Sequence, residues 1–167
     1  TGIDSLNQLE AKKGYTSSHY TSIVRKKAKP LKTPTAGAIQ LKLSGANYNV
    51  SYAYNPKTNS YNRNEGGAAQ IDAATGSQLS PTVVVAMVVP LSQGALDASG
   101  AYYSNYQYLG SGTAYVFQDG GVAQGQWTKA DNSSSISFTL NGKPLALDPG
   151  QTWLTAVHAS SDVTYQP

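Results

Sequence analysis

The chain has 167 residues, of which 40% are hydrophobic and 13% charged, and a formal net charge of +3. That length suits one domain able to bury a core, while so small a charged share excludes a disordered polyelectrolyte or a coiled coil. The longest apolar run, Val83 to Val89, has strand length and is too short for a membrane helix. The lack of cysteine excludes disulfides, thiolate nucleophiles and Cys-ligated metal centres.

The charge is unevenly placed. Residues 1–33 carry seven basic side chains against two acidic ones, whereas the remainder carries five against seven, so the basic character belongs to the leading segment. Ser5 to Gln8 has capping-box spacing, Leu6 and Leu9 share a helical face and Gly14 is a stop, which predicts one short helix over about residues 5–13. The run Arg25-Lys26-Lys27-Ala28-Lys29 with Pro30 and Pro34 reads as a solvated, extended connector. No helix-turn-helix or RNA-binding signature accompanies it, and no nucleic-acid partner is expected.

From there the pattern has period two. Tyr48, Val50, Tyr52 and Tyr54 share one face of a strand, Asn55 to Thr58 form a turn and Asn59 to Arg63 return. Thr82 to Val89 is apolar on both faces, as in a strand at the centre of a sheet. Thr113 to Gln118 and Gly121 to Trp127 form a hairpin about Asp119-Gly120. A second hairpin turns at Asn141-Gly142, with Ile136, Phe138 and Leu140 inward, and Thr152 to His158 supplies a last strand. Without crossover helices, this predicts a mainly β fold: an antiparallel sandwich or partly open barrel of about eight or nine short strands, with one short N-terminal helix. The organisation expected is a helix and basic connector over residues 1–37 and a β domain over 38–167.

Chemistry-bearing residues are sparse. No nucleophile elbow, phosphate loop or zinc-protease motif occurs, and Gly110-Ser111-Gly112 reads as a tight turn between strands. His19 and His158 lack ligand-spaced partners, so neither a metal site nor a cofactor is expected. Arg63 and Asp72 flank a glycine-bearing loop, where they could clamp it as a bidentate ion pair or form part of an anion site. Tyr102, Tyr103, Tyr106 and Tyr108 crowd one segment; Tyr102, Tyr106 and Tyr108 share a face by alternation and make either a stacking and docking row or a half-buried strand face.

Several motifs occur in the order of a known family. Tyr61-Asn62-Arg63, Ile71-Asp72 with Thr75-Gly76, Val83-Val84-Val85, Gly110 to Ala114 with Phe117 to Gly120, Gly125-Gln126-Trp127, Gly142-Lys143-Pro144 and Pro149 to Trp153 together resemble the C-terminal domain of YerB-like bacterial lipoproteins, a domain of unknown function. The resemblance spans about residues 38 to 158. Where the family pattern has a His two residues before Asp72 this chain has Gln70, and where an Asn often opens the central strand it has Thr82; a metal-binding or proton-transfer role of a His–Asp pair does not carry over.

The resemblance implies an extracytoplasmic protein, membrane-anchored in its full-length form by a lipid-modified cysteine absent from this chain, with a separate preceding domain whose tail is residues 1–15. The expected function is that of a non-catalytic binding or scaffolding module of the bacterial envelope, with cell-wall polymer or another envelope protein as partner. Arg63, Asp72, Tyr102, Tyr106 and Tyr108 are the expected binding residues. The alternatives are an enzyme domain acting on envelope polysaccharide, with Asp72 as acid or base and Arg63 holding an anionic group, or a structural support for the preceding domain.

Overall fold

A computed structural model describes residues 2–15 and 21–167, so His19 lies outside the described residues. Helix α1, Ile3–Lys13, ends at Gly14, whose φ of 75° is the left-handed stop that the sequence signals. Its N-cap is Gly2 with no side-chain cap; Ser5 therefore lies inside the helix, and its spacing to Gln8 caps nothing. No residue of α1 is buried, and Ile3, Leu6 and Leu9 stand exposed.

Thirteen strands are formed by the described residues: β1 Ala38–Leu41, β2 Val50–Asn55, β3 Ser60–Glu65, β4 Ala68–Ala69, β5 Val83–Val88, β6 Leu91–Leu96, β7 Tyr102–Tyr106, β8 Gly110–Gln118, β9 Gly121–Lys129, β10 Ser137–Leu140, β11 Lys143–Pro144, β12 Thr152–Val157 and β13 Val163–Gln166. The excess over the expected eight or nine is β1, β4, β6 and β13, which no turn or alternation signal marks. The strands make two open sheets, ordered β13-β1-β2-β3-β4 and β11-β10-β9-β8-β5-β12, and a separate β6-β7 ribbon. The fold is mainly β and sandwich-like, as the alternation predicts.

The hairpin turns fall where their residues demand them. Asp119 and Gly120 have φ of 58° and 75°, and Asn141 and Gly142 have φ of 51° and 75°; these are the two successive positive angles of the turn that matches strand twist. Three local expectations are corrected. Tyr48 sits in a single 3-10 turn, Ala46–Tyr48, and is exposed, so the buried face of β2 begins at Val50. Gly110-Ser111-Gly112 opens β8 instead of turning the chain. There a Cβ on Gly112 would come within 2.7 Å of Trp127 Nε1 and of the Val88 carbonyl; the glycine makes room for the indole, which donates to that carbonyl at 3.0 Å. Finally, β5 is not central but lies between β8 and the edge strand β12, with which it pairs in parallel.

Strand β5 is nevertheless buried on both faces because both are covered. Val84 and Ala86 join Ile39, Leu41, Val50, Tyr52, Tyr61, Tyr115 and Phe117 in the core between the sheets. Val83, Val85 and Met87 join Val116, Trp127, Phe138 and Leu147 on the outer face. Part of that outer cover is the leading segment itself: Ile23 packs there, the Leu147 N–H bonds the Val24 carbonyl, and the Lys26 N–H bonds the Leu147 carbonyl.

Candidate functional site

Three places hold the chemistry-bearing side chains. The first is the basic run, which is docked on the β body where a solvated connector is expected. Lys26 Nζ donates to Asp119 Oδ2 at 2.6 Å and also bonds Asp148 Oδ1. Arg25 Nη1 donates to the Asp148 carbonyl and to Thr152 Oγ1, each at 2.8 Å, and the Lys29 N–H donates to Asp119 Oδ1 at 2.8 Å. Asn59 Nδ2 adds a bond to the same Oδ1 at 3.1 Å.

Asp148 is fully buried, and its Oδ2 has no partner. Burial pushes its carboxyl above the usual range against the pull of Lys26. Asp119 goes the other way: burial would raise it, but the bonds from Lys26 and Asn59 outweigh burial and hold it low. Lys26 is itself raised, because its two carboxylates outweigh desolvation. The cluster joins the leading segment, the β8–β9 turn and the loop before β12 at one point.

The second place surrounds Arg63. Arg63 and Asp72 are not brought together. Arg63, buried on β3, donates from Nη1 to Glu65 Oε2 at 3.0 Å, with its guanidinium carbon 5.0 Å from the centroid of the Trp153 ring. Two residues apart on one strand, Arg63 and Glu65 project from the same face, whereas Asp72 lies beyond β4 in a tight loop. Asp72 Oδ1 accepts the Ala74 N–H at 2.9 Å and Oδ2 the Thr75 hydroxyl at 3.0 Å. These bonds hold its carboxyl below the usual range. It is a loop closer, ionised in place.

Around Arg63 several polar atoms go unanswered. Tyr52 is the cross-strand neighbour of Arg63, and continuing the β3–β4 register places Gln70 on its other side. Tyr52 Oη, Arg63 Nε and Gln70 Oε1 lack partners. Burial raises the Tyr52 hydroxyl pKa although the guanidinium and the Thr155 hydroxyl beside it act to lower it.

The third place is the β6–β7 ribbon. Its turn is tied by Asp97, whose Oδ1 accepts the N–H groups of Ser99 and Ala101 at 2.8 and 2.9 Å. Leu91 pairs with Tyr106 and Leu96 with Tyr102, so four large side chains occupy one face. Every residue of β7 is exposed; Tyr102 and Tyr103 keep 57% and 61% of their surface in water. The ribbon is thus an aromatic arm and not a half-buried strand. Tyr108, just past it, donates to Asn132 Oδ1 at 3.1 Å.

The cluster of Asp119, Asp148 and Lys26 has no signal as a unit in the sequence: the turn signature gives Asp119 a positive φ, but nothing local links it to Asp148 or Lys26. His158, the residue after β12, is exposed. Among the described residues no three His, Asp or Glu side chains converge, and no helix is long and apolar enough to cross a membrane.

No curated protein matches the chain. Among solved structures it is similar to the YerB protein from Bacillus subtilis, at 21% identity with a TM-score of 0.75, over 100% of this chain and 55% of that one. The likeness shows a shared fold, and the chain spans little more than half the length of that protein. Residues 39–154 match the family described as protein of unknown function (DUF3048), C-terminal domain. The two glycine-turned hairpins and the Trp127-over-Gly112 packing fall within that span, and the chain belongs to this YerB-like family of C-terminal domains.

Proposed function

We propose that the chain is a non-catalytic binding or scaffolding module of an extracytoplasmic bacterial envelope protein, lipid-anchored in its full-length form, whose partner is cell-wall polymer or another envelope protein. The observation that carries this reading is the aromatic arm. A two-stranded ribbon is marginally stable alone, yet this one presents Leu96, Tyr102, Tyr103 and Tyr106 to water. Rigid side chains with apolar area and a polar tip are what sugar rings and protein partners dock against. The exposed stripe of α1, Ile3, Leu6 and Leu9, supports a second contact, with a preceding domain whose tail is residues 1–15.

The test is retention of the purified chain on insoluble cell-wall sacculi, before and after Tyr102→Ala with Tyr106→Ala. Because both side chains are exposed, the double variant keeps the wild-type melting temperature. Binding weakened at least tenfold is expected. Equal retention of the two proteins would overturn the role of the arm, and RNA at equal concentration is expected not to compete.

A further inference from the structure

The outer face of the six-stranded sheet is only partly covered. Beside the leading segment, over the β5–β12 edge, a groove of about 670 Å³ remains, with Ile23, Met87, Ile136 and Leu154 among its walls and Lys129 and Ser133 to Ser135 at the polar part of its lining. Its floor is apolar because Met87 faces outward from β5 and because, among the described residues, no further strand or helix covers Leu154 on the edge strand; Leu154 is 44% exposed. A largely apolar groove of this size with a few convergent polar groups is the form that small-molecule sites take.

Lys129 is the unexplained element of the lining. It is half-buried on β9, on the same side as Trp127, and its ammonium donates to the Ser134 carbonyl at 2.6 Å. Among the described residues no carboxylate lies within ion-pair distance of it, and residues 16–20 contain none. The nearby Asp131 spends its Oδ1 on Ser133 and Ser134 of its own loop. A half-buried ammonium with no carboxylate partner is free to form a charge-assisted bond with a ligand anion. Beside it, Ser135 Oγ accepts the Thr21 N–H at 3.3 Å, which leaves the serine hydroxyl hydrogen available.

We infer that this groove binds a long-chain monocarboxylate: the hydrocarbon tail lies along Ile23, Met87, Ile136 and Leu154, and the carboxylate pairs with Lys129 and accepts the Ser135 hydroxyl. One uncompensated cation matches a single negative charge, which selects a fatty carboxylate over a phosphate dianion. The tyrosine arm contributes no side chain to the groove, so this inference stands independently of the arm's role.

Isothermal titration of the chain with dodecanoate, dodecanol and dodecyl phosphate, each below its micellar concentration, tests it. Dodecanoate is expected to bind at one site at least tenfold more tightly than dodecanol and more tightly than dodecyl phosphate, shifting backbone NMR signals of Lys129, Ser133 to Ile136 and Leu154. Lys129→Met abolishes the preference for dodecanoate over dodecanol, Lys129→Arg keeps it, and Leu154→Gln, at an exposed position, weakens both ligands together. Equal binding of dodecanoate and dodecanol, a preference for dodecyl phosphate, no saturable binding, or signal shifts confined to other residues would each overturn it.

Discussion

Lys26 holds two carboxylates that the fold treats oppositely, and this sets what its loss does. Asp119 is held low, so it contributes stability that is present above its ordinary pKa of 3.8 and is lost as the pH falls through the folded value. Asp148 is raised, so in relative terms it favours the fold below 3.8 and loses that contribution as the pH rises through its folded value. Replacing Lys26 by Met removes the partner from both. Breaking a buried ion pair costs about 3–5 kcal/mol; the Lys26 side chain is 32% exposed, so we expect about 2–4 kcal/mol at pH 7. Protonation relieves both carboxylates of the charge that Lys26 no longer balances, so the deficit shrinks on acidification. Urea denaturation of wild type and Lys26→Met at pH 7 and pH 4 checks this; a deficit that is constant or grows at pH 4 contradicts the electrostatic assignment.

Among the elements, β10 is the clearest case of a strand formed for its inward side chain. Phe138 is opposite Trp127 across the β9–β10 pair and is 3% exposed. Truncation to Ala leaves a cavity beside the indole and is expected to cost about 3–5 kcal/mol. A loss under ~0.5 kcal/mol, measured by denaturant titration, would place the ring outside the core. This strand and its neighbours were legible in sequence because each signal is local: alternation gives the buried face, and Asp119-Gly120 and Asn141-Gly142 tolerate the φ the turns require. The docking of residues 21–36 was not legible, since an extended segment held by isolated backbone bonds has no periodicity to read. Around Arg63 the sequence holds a better signal than the Arg63–Asp72 spacing: Glu65, two residues on, must share its face of a strand, while Asp72 followed by Thr75-Gly76 has the spacing of a side chain closing its own turn. The exposure of the aromatic arm was legible only as one of two alternatives, because alternation says which tyrosines share a face and not whether anything covers them.

At the scale of the whole molecule, both open sheets gain an edge strand through partners distant in sequence. Strand β12 joins β5 in parallel, and β13, the last strand, pairs with β1, the first. Neither pairing can form by a local turn, so both depend on the rest of the chain being nearly in place. The β13 contacts bridge the sheets as well: Val163 is buried in the core between them and the Tyr165 ring meets Phe117 of the other sheet edge-on at 5.6 Å, while the Asp162 carbonyl, just before β13, extends its pairing with β1 by accepting the Lys42 N–H at 2.9 Å. Removing residues 160–167 therefore uncovers β1 along its length and strips one side from Phe117, a loss of about 3 kcal/mol or more from apolar burial and the aromatic pair. For a domain of this size that corresponds to a fall in Tm of about 6–12 °C. The transition should stay single, because the strands uncovered belong to the same core that β5 and β8 share. Calorimetry of the truncated chain decides it: a fall under ~2 °C would mean that β13 is peripheral, and two resolved transitions would mean that the sheets melt independently and that the shared core does not make them one cooperative unit.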